Sequence, residues 1–277
     1  MNRARTKPGA AGIIGWLYIA IVAAAELFAL AWLYPMLQSS VVMSVYSAQQ
    51  MERSVMKECG MAVDIPIADG WYPLMLAYNA DDFAAWSGID ARMTILYSFG
   101  AFDLSTRTSS LYDTDSDKYS AFYGAYVVKK DGGIFGYNED GSLNLDEVVE
   151  AVRYDDTQLV MANFGCRNAV FDVQDIRVSP DTACAGSGGW TRIDAALRVS
   201  GAAHTFKEDK MAYLQYGKPM QPVTVDFAET DMTGRIYTKY FPSSGCTVMM
   251  YCLAPEPETV DACDDAALQD AVISRLQ

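Results

Sequence analysis

The stretch YDTDSDKY sets Asp113, Asp115 and Asp117 at alternate positions. Carboxylates packed that closely suit a hard cation with oxygen ligands, and calcium is the one to expect outside a cell. The stretch has neither the central glycine nor the distal glutamate of a calcium-binding loop between helices. A weak Ca²⁺ site is therefore the sharp expectation and a solvated acidic loop the plain one; no other cofactor is expected. A second acidic loop, GYNEDGSLNLDE, places Asn138, Asp140, Gly141, Asn144 and Glu147 at ligand and turn positions of such a loop. Its first position is Gly136, so a main ligand is missing, and Gly141 is equally what a hairpin turn wants. The turn is preferred.

Nucleophilic chemistry finds less support. Ser54-Val-Met-Lys57 has the serine–lysine spacing of penicillin-recognising enzymes, and on a helix that spacing puts both side chains on one face. No K-T-G and no S-D-N accompanies it, and so short a pattern arises by chance. The chain has one histidine, His204, so a His-dependent triad or multi-histidine metal site would have to pass through it. Gly186-Ser187-Gly188 lacks the spacing of a nucleophile elbow and reads as a turn. No phosphate-cradling glycine loop is present, so no nucleotide is expected. Hydrolysis by paired carboxylates needs no local motif and stays open as an alternative.

All six cysteines, Cys59, Cys166, Cys184, Cys246, Cys252 and Cys263, follow the long apolar run described next. An even count on an oxidising side points to disulfides, and the absence of C-x-x-C removes the usual signature of thiol redox or zinc chemistry. Cys166 and Cys184 flank a loop containing Pro180 and form the best local pair. Cys246 and Cys252 share parity on one extended strand, roughly 20 Å apart, and cannot easily bond each other. They need partners such as Cys263 on the last helix and Cys59 near the membrane.

The elements that position these residues begin with GIIGWLYIAIVAAAELFALAWLYPML, Gly12 to Leu37. From Ala10 to Tyr34 a helix rises roughly 37 Å, enough to cross a hydrocarbon core of about 30 Å. Trp16, Tyr18, Trp32 and Tyr34 lie toward the two ends, where amphipathic rings prefer the interface. Arg3, Arg5 and Lys7 precede the run without an acid among them, which predicts a cytoplasmic N-terminus and an extracytoplasmic remainder. Cleavage after Ala23-Ala24-Ala25 would give a secreted protein instead, but the new N-terminus ELFALAWLYPML has no reason to be soluble. The uncleaved anchor is preferred. Glu26 then stands in lipid, where an acid costs about 2.5–3.5 kcal/mol, and its neighbours at i±4 are Val22 and Leu30. A membrane-protein partner, or a second copy of the helix, is expected to meet it.

In Ala24, Ala25, Glu26, Phe28, Ala29, Leu30 and Pro35 this segment resembles the TadE-type pseudopilins. Leu27 interrupts the pattern, and the apolar residues before Glu26 stand where that family's leader ends. The resemblance, confined to the span, implies a helical stalk and a periplasmic head.

The rest follows the same plan. Residues 1–9 form a basic leader, 10–37 the anchor, 38–58 a stalk helix and 59–277 an extracytoplasmic disulfide-containing domain. Leu37, Val41, Val45, Ala48 and Val55 keep helical spacing, with a kink allowed at Pro35. Strands are expected at 92–102, 120–128, 158–164, 168–173, 190–199, 223–227, 235–241 and 247–253. Ile193, Ala195, Leu197 and Val199 alternate as a half-buried antiparallel strand requires. A short helix is led by Asn144, and Val260, Cys263, Ala267, Leu268, Val272 and Leu276 line one side of a C-terminal helix. The fold class is α+β, one antiparallel β-rich head. Of 21 basic residues three precede the span, which leaves 18 against 35 acidic ones in the remainder of the chain, and such a surface repels nucleic acid. Seventeen tyrosines and five tryptophans suit core packing as well as binding surfaces. The expected function is a non-catalytic interaction or structural role in a cell-envelope assembly. An extracytoplasmic enzyme, or a sensor working through a membrane partner, is the alternative.

Overall fold

The computed structural model describes residues 10–66, 72–103, 108–109, 116, 118, 121–163, 165–201 and 226–276. Asp113, Asp115, Asp117 and His204 lie outside them. Helix α1 (Ala10–Met51) runs 42 residues without a break at Pro35. Its two halves meet different surroundings. Ile14–Ala31 is long and apolar enough to cross a membrane, and none of it is buried within the chain. A helix apolar on every side needs lipid or another apolar surface around it. Near its other end, Met43 and Gln50 are buried. There Ser47 Oγ accepts from the Ala77 amide at 3.0 Å and Gln50 Oε1 from the Asn79 amide at 3.3 Å. The Tyr46 ring stacks on Tyr78 with centroids 6.2 Å apart.

Ala77 and Asn79 belong to β2 (Tyr72–Asn79), one edge of an eight-stranded antiparallel sheet. The other strands are β3 (Ala91–Asp103), β4 (Thr108–Ser109), β5 (Phe122–Lys130), β6 (Phe171–Cys184), β7 (Ser187–Ser200), β8 (Glu229–Phe241) and β9 (Cys246–Ala254). They lie in the order β2-β3-β5-β9-β8-β7-β6, with β4 beside β3. The architecture is α+β. At one edge α1 supplies hydrogen-bond acceptors to β2. At the other, β6 carries Pro180, a register shift and exposed charges, devices that discourage another strand from pairing there.

Every residue of the central strand β9 is buried, because both faces of the sheet are covered. On one face Val248, Met250 and Cys252 pack with Trp190 and with α6 (Pro257–Cys263). A two-stranded sheet of β1 (Met61–Asp64) and β10 (Val272–Arg275) and the short helix α2 (Val55–Glu58) complete that layer. On the opposite face Met249 and Tyr251 pack with α3 (Phe83–Ser87) and α4 (Leu145–Tyr154). The alternation of Ile193, Leu197 and Val199 toward the core is as the sequence requires. Asn144 caps α4, its side chain accepting from the Glu147 amide. Gly141, at φ +82°, sits in a tight turn whose flanks Tyr137 and Leu143 form an antiparallel bridge.

Three expectations are corrected. The chain does not close on a helix reaching Leu276: α6 continues only through a π-helical turn, Asp264–Leu268, before β10. Val260, Cys263, Ala267 and Leu268 are buried as the pattern demands, but the β-branched pair Val272–Ile273 finds a strand partner in β1. Residues 158–163 of the strand expected at 158–164 are helical instead, because α4 runs on through a π turn, Asp155–Val160, into α5 (Met161–Asn163). The third concerns a cysteine pair and follows below. The strand expected at 223–227 falls mostly outside the described residues.

Candidate functional site

Between the α4 layer and the sheet lies a cavity of about 60 Å³. Helical side chains Val148, Val152 and Val160 roof it, and Phe122, Ile176, Ile193, Ala195, Leu197 and Ile236 rise from the strands. Gly234 helps to keep its floor open: a Cβ there would stand 3.3 Å from Leu253 Cδ1 and 3.4 Å from Leu197 Cδ1. Space of this kind is ordinarily lost in a close-packed interior.

Two acids stand in this apolar wall. Asp155 and Asp156 open the π turn, whose wider ring of backbone hydrogen bonds often marks functional sites. The Asp155 carboxylate accepts from the hydroxyls of Tyr97 and, at 2.7 Å, Tyr126. Tyr126 in turn stacks on Tyr251, centroids 4.7 Å apart and rings 14° from parallel. Burial pushes Asp155 up to about 6 although both tyrosine hydroxyls pull it down. Asp156 is driven well above the usual carboxylate range, by burial first and by the neighbouring Asp155 second. Its Oδ2 is buried without a hydrogen-bond partner. No Lys, Arg or His lines the cavity among the described residues. Nearby Arg153 is engaged by Glu150 at 2.6 Å and lies over the Phe171 ring. Carboxyls held this way can store a proton or receive a cation.

A second acid cluster lies on the other face. Asp264, which opens the π turn after α6, accepts from Arg235 at 2.7 Å, Tyr237 at 2.8 Å and Gln269 at 2.8 Å. Arg235 also reaches Asp194 at 2.8 Å and Asp261 at 2.9 Å, and Arg192 reaches Asp194 at 2.7 Å. Burial alone would raise Asp194, but the hydrogen bonds from Arg192 and Arg235 hold it below the ordinary carboxylate value. These acids have their cations.

The residues that the sequence singles out are placed as follows. Ser54 caps α2, accepting from the Lys57 amide at 3.0 Å and donating to the Met51 carbonyl, while Lys57 Nζ pairs with Glu52. A serine–lysine dyad is not assembled. Gly186 makes the turn between β6 and β7, and Ser187 accepts from Trp190 Nε1 at 3.1 Å. In the 136–147 loop Asp140 binds Ser142, Asn144 caps the helix, and Glu147 holds Lys130 and the Gly136 amide. Glu26 is exposed on the bare half of α1. Asp113, Asp115 and Asp117 fall outside the described residues.

The six cysteines are not joined. Cys59 hydrogen-bonds Cys246, and Cys252 hydrogen-bonds Cys263, so the strand's two cysteines face the two segments expected to partner them. The Cys246 thiol is pushed up to about 12, chiefly by burial, and such thiols are poor nucleophiles. Cys166 and Cys184 are not paired: Cys184 ends β6 and Cys166 precedes its start. Extended backbone of that length rises roughly 40 Å, and the Cys184 thiol contacts the Leu268 carbonyl at 3.3 Å instead.

Asp155 and Asp156 have no prominence in the sequence. They read as two more charges in an acidic chain, ahead of a segment taken for a strand. Their one local signal is an acid pair at the C-terminal end of an amphipathic helix, where the helix dipole disfavours negative charge. No protein family, curated protein or solved structure matches the chain.

Proposed function

We propose that this is a membrane-anchored extracytoplasmic protein with a non-catalytic interaction role in a cell-envelope assembly. The observation that carries the reading is the bareness of Ile14–Ala31, an apolar helical stretch of which none is buried within its own chain. The basic residues before it favour a cytoplasmic N-terminus, and the acidic head belongs outside. Because the same helix continues into contact with β2, whatever grips the span also orients the head.

Glu26 is the proposed contact. An acid near mid-membrane is costly unless protonated or met by a polar group, and no partner stands on its own helix. Homo-association through Ala23–Ala25 is the alternative contact, since small residues let helices approach. Glu26→Gln is expected to keep most of the association through hydrogen bonding, and Glu26→Leu to weaken it. Co-purification from mild detergent measures both. Equal recovery of partner or oligomer with leucine would remove the acid from the assembly.

In an oxidising compartment the pairs Cys59/Cys246 and Cys252/Cys263 are proposed to close as disulfides. Each pair would give up two protons and two electrons to a thiol oxidant of the envelope, tying the base of the head and α6 to β9. Non-reducing peptide mapping should find those two links. Six free thiols in protein isolated without reductant would contradict the compartment.

A further inference from the structure

We infer that the cavity beneath α4 is a binding site for a small apolar amine, its protonated nitrogen held by Asp156 with Asp155 behind it. The inference rests on the cavity alone and does not depend on the anchoring reading. A buried carboxyl oxygen with no partner is costly, and native proteins seldom keep one without use. Here it belongs to a side chain lining a space whose remaining walls are mainly hydrocarbon. At about 10–15 Å³ for each water-sized group, the space takes roughly four to six of them, a short aliphatic chain.

The choice of a cation over a neutral or anionic ligand follows from the surrounding charges. From the helix, Arg153 is already bound by Glu150; from the sheet, Tyr97, Tyr126 and Tyr251 face the acids with neutral hydroxyls and rings. A ligand carboxylate would add a negative charge beside two acids. An ammonium would supply the positive charge that the lining lacks, and the stacked pair Tyr126 and Tyr251 offers it aromatic faces. The opposite face shows the protein's own solution to this problem: Arg235 sits among Asp194, Asp261 and Asp264.

Binding has a chemical signature. Burial favours the neutral acid at Asp156 and an ammonium beside it favours the carboxylate, so where the carboxyl is protonated an incoming ammonium releases one proton to solvent. Charge and atoms balance without a further reactant.

The test is calorimetric titration of the full chain in nanodiscs with n-butylamine, n-butanol and butyrate, subtracting empty nanodiscs. Buffers of different ionisation enthalpy report the proton. The amine is expected to bind about tenfold or more tightly than the isosteric alcohol, with proton release and no binding of butyrate. Asp156→Asn should lose about tenfold in amine affinity and abolish the proton release, its folding checked by circular dichroism. Ala195→Leu, which fills the cavity from β7 and leaves both acids in place, should reduce amine binding as well. Alcohol bound as well as amine, unchanged affinity in Asp156→Asn, or no heat from any of the three would overturn the inference.

Discussion

The sheet carries a π turn opened by two aspartates on each of its faces, and the two pairs live under opposite conditions. Beneath α6, Asp264 meets Arg235, Tyr237 and Gln269, and Arg235 goes on to Asp194 and Asp261. Beneath α4, Asp155 meets only two tyrosine hydroxyls, and Asp156 leaves an oxygen unbonded beside a cavity. Similar backbone with a similar acid pair is a closed structural joint on one side and an unbalanced site on the other. What separates them is a well-placed arginine, together with the exposure of Asp265 where Asp156 is buried.

The largest effect should come from removing that arginine. Arg235 is 11% exposed and Asp264 6%, so Arg235→Met strands buried negative charge and should cost about 3–5 kcal/mol. Denaturant titration of the full chain in detergent measures it. A loss below about 1 kcal/mol would mean that the network is solvated, and the contrast between the faces would shrink.

Next in size is a pH dependence of opposite sign on the two faces. Folded Asp155 keeps its proton to about pH 6, whereas the unfolded chain releases it near the ordinary value of 3.8. The folded state therefore holds more protons in that window. Its contribution is complete at lower pH and is lost as pH rises through about 6, amounting to about 3 kcal/mol. Asp156, raised chiefly by burial, acts in the same direction. Asp194 does the reverse: its pKa is depressed, so its contribution is present above the ordinary value and lost as pH falls through the folded one. In melting temperatures followed from pH 2 to 8, Asp155→Asn should flatten the decline that runs from the ordinary value of 3.8 up to about pH 6, and Asp194→Asn the decline below 3.8. A decline that survives Asp155→Asn unchanged would assign it elsewhere.

A smaller contrast lies in the tyrosines. Tyr126→Phe removes one of the two donors to Asp155 and should cost about 1.5–3 kcal/mol where the acid is ionised. Tyr237→Phe leaves Asp264 with Arg235 and Gln269 and should cost about 1 kcal/mol or less. Similar losses for the two would weaken the distinction.

The parts of this picture that local chemistry dictates are readable from the chain. Asn144 three residues before Glu147 announces the cap of α4, and the alternation from Ile193 to Val199 announces β7. The length of extended strand between them keeps Cys246 from Cys252 and directs them toward Cys59 and Cys263. The rest depends on partners distant in sequence. Val272–Arg275 is a strand because Met61–Asp64 lies beside it, and nothing near residue 272 says so. Val160 and Met161 stay helical because α4 carries its register past Asp155 through a π turn, a departure with no local signature. The acid pair is the least legible feature, since its meaning lies in the tyrosines of β3 and β5 and in a cavity lining that, among the described residues, holds no cation.

One measurement addresses the difference between the faces directly. Protein labelled with ¹³C at the aspartate carboxyls, in full-length form, can be titrated by NMR with Asp155 and Asp194 assigned through their asparagine variants. Asp155 is expected to titrate near pH 6 and Asp194 below the ordinary carboxylate value of 3.8. Coincident titration of the two near 4 would contradict the account, for it would place both acids in equivalent, solvated surroundings.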